Sequence, residues 1–412
     1  MPHLEDYRPL VGADTVEELR LLGGFLAGKS VVHVNSTAVG GGVAEILSRM
    51  VPLLHELGMD TRWEVIKGGE DFYAATKRFH NALHGDVVEV GSKDYRVYES
   101  TVEENLPAID LRADFVFVHD PQPAALVRAR DGRGGHWIWR CHIDLSRPNP
   151  GVWAFFRPYV ERYDACVFSA PPFAQRLPIP QALIAPAIDP LSDKNRDLGE
   201  EEIRSILERL QIPTDKTIVS QVSRFDRLKD PVGVIEAFQK AKPYVEARLV
   251  LVGGTADDDP EGAQVLSEVR EKAAGDEDIL VLCLPPTSHL EINAIQRASA
   301  VVLQKSIREG FGLTVTEALW KGKPVIAGAA GGIPLQIAHK HSGILTHTTD
   351  GAAYWLKRLL NEPEYAKKLG ENGREQVRQN FLLTRHLRDY LLLFLFLDRG
   401  RADFIPLRSK EG

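Results

Sequence analysis

Short apolar runs recur along this chain, each followed by a glycine- or proline-marked turn and then by a helical repeat. The first, Val31-Val32-His33-Val34-Asn35, has the length and residue types of a strand. Ser36 to Gly42 forms a loop. Val43, Ile46, Leu47, Met50, Leu54 and Leu57 then recur at the spacing of one helix face, which Gly58 ends, and Thr61 to Ile66 returns as a strand. Residues 1–29 and 70–84 have a helical pattern, while 86–100 are polar and show no clear period. Asp114 to Val118, the run from His136, Ala165 to Ser169 and Ala182 to Ala185 supply further strands. Trp153, Phe155, Phe156, Tyr159 and Tyr163 mark an aromatic helix over 151–163, most of it core or cleft wall.

The rhythm restarts in the second half. Strands are predicted at 217–223, Arg248 to Val252, 279–284, Val301 to Gln304 and Val325 to Ala327, with helices between them, notably one carrying Leu313, Val315, Ala318 and Leu319. Alternating strands and helices of this kind build parallel, doubly wound sheets with ligands outside the carboxyl ends of the strands. The chain is therefore expected to be α/β, with two such domains in tandem and a cleft between them. The expected division is 1–212 and 213–383, placed at the turn Gln211 to Asp215, with a last helix at about 384–397 returning to the first domain.

Bulk composition narrows the function. A chain of 412 residues, 44% hydrophobic and 26% charged, is globular and long enough for two domains. A net charge of -7 offers no basic excess to meet a phosphate backbone and argues against nucleic acid as partner. Cys141, Cys166 and Cys283 are scattered, so neither a disulfide scaffold nor a thiolate metal site is expected. The N-terminus lacks the basic-then-apolar order of a signal peptide, and Leu391 to Leu397 is too short to span a bilayer. A soluble cytoplasmic protein without membrane contact is expected.

Candidate chemistry lies in the loops after strands. Glu309-Gly310-Phe311-Gly312-Leu313 leads into a helix, with Glu317 one turn inside it. A helix start presents free N–H groups suited to an anion, and both carboxylates can reach a ligand lying across it. Arg224 and Lys229, five positions apart before Pro231, are cations of the kind diphosphate chemistry requires, although loop cations are as often merely solvated. Gly40-Gly41-Gly42 permits close backbone approach to a phosphate or sugar, or makes only a tight turn; it is not a dinucleotide fingerprint. In the first half His119-Asp120 ends one strand, and Arg140, His142 and Asp144 end the next, on alternate positions that can line a polar cleft. No fixed metal site is expected from these residues. Glu309 and Glu317 could also be a glycosidase pair, but their placement beside an anion site disfavours that.

The segment from Glu309 to Glu317 resembles the signature of retaining glycosyltransferases of family four. These have the GT-B fold of two Rossmann-like domains and use nucleotide-sugars. The resemblance implies that Arg224, Lys229, Gly41, Gly42 and the N–H groups of Phe311, Gly312 and Leu313 face the donor. It implies Glu317 on the ribose, Glu309 on the transferred sugar, and His119 on another of its hydroxyls. Asp120, Arg140, His142 and Asp144 are expected on the acceptor side. Catalysis is accordingly expected from Glu309, Arg224, Lys229 and His119, by same-face attack. Segments such as Trp139-Arg140-Cys141-His142-Ile143-Asp144 and Ser223-Arg224-Phe225-Asp226 are similar to the subgroup that joins glucose from ADP- or UDP-glucose to free glucose, giving trehalose. Phosphorylases of the same fold that act on trehalose share several segments, and a sugar-binding protein without turnover is a third reading. No tightly bound cofactor is implied, with Mg2+ assisting at the diphosphate as the one candidate, and a homodimer is implied.

Overall fold

A computed structural model describes residues 2–38, 42–254 and 260–400. The chain divides into two compact units, one made of residues up to Pro186 together with those from Leu383 onward, the other Ala187–Leu382.

In the first unit β1 (Ser30–Asn35), β2 (Asp60–Val65), β3 (Phe115–His119), β4 (His136–Cys141), β5 (Ala165–Phe168) and β6 (Gln181–Leu183) pair in parallel, in the order β2-β1-β3-β4-β5-β6. Every residue of β3 is buried, as expected of a parallel strand covered on both faces. One face packs on an aromatic cluster in which Phe79, Tyr98 and Phe156 meet edge to face, with Phe79 and Phe156 centroids 5.3 Å apart, and Phe155 stacks on Phe79. The expected aromatic helix, Pro150–Val160, buries Val152, Phe156 and Val160 in this core and packs Trp153, Phe155 and Tyr159 partly buried against it. The other face carries the C-terminal helix Leu383–Asp398: Phe394 stacks on Phe115 at 4.5 Å and Tyr390 on Phe117 at 4.8 Å. The apolar run at 391–397, apart from exposed Leu392 and half-buried Phe396, is core of this unit.

In the second unit β7 (Thr217–Val222), β8 (Ala247–Gly253), β9 (Ile279–Cys283), β10 (Val301–Gln304), β11 (Val325–Gly328) and β12 (Ile344–Thr346) form another parallel sheet, ordered β12-β11-β10-β7-β8-β9. The chain leaves β7 towards one edge and returns at β10 on its other side. In such sheets the crevice outside the carboxyl ends opens where the order reverses, here between β7 and β10. The corresponding reversal in the first sheet is between β1 and β3.

The structure departs from expectation in two places. Residues 92–105, within and beyond the stretch of no clear period, form the helix Ser92–Asn105, which buries Tyr98 and Val102 beneath an otherwise polar surface. The division falls at Pro186 and not at 212. The Asn293 side-chain amide donates to the carbonyls of Asp193 and Arg196, both at 2.9 Å, and Arg297 donates to Arg196 O at 2.9 Å. These bonds fasten the polar segment 193–197 to the helix His289–Ala298 of the second unit.

Candidate active site

The reversal point of the second sheet places two loops side by side, one after β7 and one after β10. Their backbones are joined: the N–H of Ile307 donates to Leu228 O at 2.8 Å. Asp226 accepts the N–H of Leu228 at 2.8 Å. Asp230, in the left-handed region at φ 51°, caps the helix Pro231–Ala241 through the N–H of Gly233 and pairs with Lys305 of the neighbouring loop. Side chains of Asp tolerate that backbone region better than most. The chain between is thereby held so that Lys229 Nζ donates to both carboxylate oxygens of Glu309, each at 2.7 Å. Ser306 Oγ adds a bond to Glu309 Oε2 at 3.1 Å, and Gln221 donates to Lys229 O at 2.9 Å.

Gly312, at φ 85°, turns the chain into the helix Leu313–Trp320, whose start has no side-chain cap. A Cβ at Gly331 would lie 1.5 Å from Glu309 O, so only glycine lets the loop after β11 pass behind Glu309. Glu317 is buried on the same helix, its Oε1 3.7 Å from Lys194 Nζ. One turn on, Lys321 is buried against Gln296 Oε1 at 2.8 Å, and burial pushes its ammonium pKa down. A cavity of about 170 Å3 is lined by Lys194, Arg224, Gly253, Leu284, Thr314 and Glu317 among others. Arg224 is the exposed cation of the pair, 3.5 Å from Asp226. Lys229 and Glu309 are therefore in direct contact, and Arg224 and Glu317 share a cavity. The site offers two cations and an uncapped helix start to an anionic group, and a buried carboxylate to its hydroxyls.

In the first unit the period-2 alternation of strands puts His33, Phe117, His119, Arg140 and His142 on one face of the sheet. His33 Nδ1 lies 3.1 Å from His119 Nε2, and His119 Nδ1 lies 3.1 Å from His142 Nε2. His119, expected to touch a sugar hydroxyl, thus has both ring nitrogens engaged by histidines. Burial holds His33 down to about 3 and puts His119 and His142 well below the usual imidazole range; nearby cations, Arg140 among them, add to this for the latter two. The three rings are neutral at pH 7. Arg140 is fully buried and donates to Ser169 Oγ at 3.2 Å. Asp120, at φ 67°, accepts the backbone N–H of His142 at 2.7 Å, and desolvation pushes its carboxyl up to about 7. Asp144 turns to the N–H of Ser146 at 2.8 Å. Gly42 opens the helix Gly42–Glu56; Gly41 lies outside the described residues. Among the described residues, no group of three or more His, Cys, Asp or Glu is placed to hold a metal ion. No helix among them is long and apolar enough to cross a membrane.

Two sequence families match. Residues 33–175 match the family described as trehalose synthase, N-terminal domain, and residues 202–376 match glycosyl transferases group 1. The trehalose synthase of Pyrococcus horikoshii is 46% identical over 394 residues, 94% of this chain and 95% of that protein. The chain belongs to the trehalose synthase family. Another trehalose synthase, from Rubrobacter xylanophilus, is 45% identical over 95% of this chain and 96% of its own. A trehalose phosphorylase of Pleurotus pulmonarius is more distant, 28% identical over 96% of this chain and 61% of its own. Among solved structures, a sucrose-phosphate synthase from Thermosynechococcus elongatus superposes with a TM-score of 0.71 at 19% identity, covering 90% of this chain and all (100%) of that one. The fold is GT-B. In this trehalose synthase family member, sequence reasoning passed over Lys194, Ser306 and His33. Lys194 sits in an aperiodic polar segment and Ser306 in the loop between β10 and Glu309. His33 had a signal: a lone ring among the valines of β1.

Proposed function

We propose that this protein is a retaining glucosyltransferase, moving glucose from ADP- or UDP-glucose to free glucose and making α,α-trehalose. The observation that carries the reading is the Lys229–Glu309 contact beside the cavity of Arg224 and Glu317, at the reversal point of the second sheet. Arg224, the third N–H of Lys229 and the amides of Phe311, Gly312 and Leu313 meet the diphosphate. Negative charge grows there as the C1–O bond breaks, so these groups act more strongly in the transition state than before it. Glu317 holds the ribose hydroxyls, with Lys194 offsetting its charge, and Glu309 binds hydroxyls of the transferred glucose. Gly41 and Gly42 allow the backbone close to the donor. In the first unit, His142 with Asp144 and Arg140 orients the acceptor, and Asp120 fixes the backbone of His142. His119 serves through His142. A Mg2+ ion carried by the diphosphate would supply further charge neutralisation, without a protein cage. Attack on the same face keeps the α configuration, the leaving phosphate taking the acceptor's proton.

One assay tests this: the purified protein with ADP- or UDP-glucose and glucose, phosphate-free, with mass and proton NMR detection of the disaccharide. A single α-anomeric doublet is expected. Product only from glucose 1-phosphate would make the protein a phosphorylase, and no product from either donor a binding protein. The same reading carries a cytoplasmic homodimer, checked by light scattering and by cell fractionation.

A further inference from the structure

We propose that His33 is a positioning residue: it fixes the tautomer of His119, and through His119 that of His142, so that His142 presents Nδ1–H to its ligand. His33, His119 and His142 come from β1, β3 and the residue after β4, three neighbouring strands, on the same face. Ring centroids are 5.3 and 5.4 Å apart, with planes inclined 36° and 20°. Such spacing and tilt suit nitrogen-to-nitrogen bonds near the ring planes, and both bonds measure 3.1 Å.

A neutral imidazole carries one N–H, so each ring can donate on one side only. Two linked bonds therefore leave only two arrangements of the whole file. Either all three rings carry the proton on Nδ1, or all three carry it on Nε2. The inner end decides between them. His33 Nε2 is buried with no hydrogen-bond partner among the described residues. A buried N–H without acceptor is costlier and rarer than a bare lone pair. With Nδ1–H on each ring, His33 donates to His119, His119 donates to His142, and the outer Nδ1–H of His142 is left to donate. The groups facing the file do not reverse this. His386, on the C-terminal helix, uses Nδ1 to donate to Ala185 O at 3.0 Å, and Tyr390 and Arg140 bring no carboxylate to accept from His33. The half-buried outer end, His142, is where a sugar hydroxyl would accept.

The test is long-range 1H–15N spectra of 15N-histidine-labelled, unliganded protein, with signals assigned by loss in His119→Gln and His142→Gln. Nδ1–H on His119 and His142 is expected. His33→Phe removes the donor and should turn both rings into tautomer mixtures, while His33→Asn, whose amide can donate from the place of Nδ1, should restore the single form. Nε2–H on His119 in the unmodified protein, or unchanged spectra in His33→Phe, overturns the proposal. If His33→Phe fails to fold, the spectrum of the unmodified protein decides alone. Kinetics form a separate arm, resting on the reading of His142 as an acceptor contact. There KM for glucose rises about tenfold in His33→Phe, kcat holds within about threefold, and His33→Asn recovers KM, the tenfold corresponding to one lost hydrogen bond. Tautomer locking without any change in KM would leave the role of His33 standing and remove His142 from the acceptor site.

Discussion

Lys229 and Glu309 make two 2.7 Å contacts with side chains only 17% and 10% exposed, so the pair can be dissected by charge. Removing one partner of a buried pair strands the other and costs about 3–5 kcal/mol. With this residual exposure, roughly 2–4 kcal/mol is expected for Lys229→Met or Glu309→Gln. For a unit of this size each kcal/mol moves the midpoint by about 2–4 °C, so roughly 3 kcal/mol lowers it by about 6–12 °C. The double variant leaves no uncompensated charge and should recover most of that loss, to within about 1 kcal/mol. Turnover should behave differently. Loss of a cation or donor aimed at developing charge costs about 100- to 1,000-fold in kcat, and cancelling the stranded charge restores none of it. Calorimetry and steady-state turnover on the three variants read both quantities. A double variant that is stable and still turns over would show the pair to be only a clasp between two loops. Singles that melt with the unmodified protein would show that it is not even that.

Arg224→Ala and Glu317→Gln should each raise the donor KM about tenfold or more while leaving the glucose KM near its starting value; equal effects on both would displace the donor from the 170 Å3 cavity they line. Gly331→Ala sets a methyl group 1.5 Å from Glu309 O at φ 53°, so a loss of roughly 3 kcal/mol or more and near-complete inactivation are expected, and a normal melting curve would contradict the packing described. The histidine file makes the first unit acid-labile. His33 titrates at 6.5 in the unfolded chain and at about 3 when folded, so the unfolded chain takes the proton first. The stability it contributes is complete above pH 6.5 and falls by up to about 1.4 kcal/mol per pH unit below it. Fluorescence of the buried Trp137 and Trp139 should report a midpoint that drops from pH 7 to pH 5, less steeply in His33→Phe, with the raised carboxyl of Asp120 opposing the trend; a drop equally steep in His33→Phe would remove His33 from the effect.

Most of this architecture was legible because local signals agreed with one another. A run such as Val301 to Gln304 is apolar up to its last residue and buried throughout, a glycine-containing loop follows it, and the helix Leu313–Trp320 starts where the pattern resumes. The helix Ser92–Asn105 was not legible, since its apolar side is narrow and the rest of its surface is charged. The boundary near 212 went wrong for a related reason. Residues 193–197 look like a linker by composition, and residues about a hundred positions later, Asn293 and Arg297 among them, tie them to the second unit.

The site divides along the same line. Arg224, Lys229 and Glu309 could each be picked out because they sit in loops after strands, where α/β sheets bind ligands, and Glu317 because it lies one turn into the helix that follows. Their pairing could not, because Lys229 and Glu309 are 80 positions apart and meet only through the reversal in strand order that sets β7 beside β10. His119 shows what this costs a residue-by-residue reading. Taken singly at a strand end, it is a ligand for a hydroxyl. Flanked by His33 and His142 on adjacent strands, it has both ring nitrogens engaged, and the ring at the outer end of the file is His142. Sheet register, not motif, decides which ring of the three stands at the open end of the file.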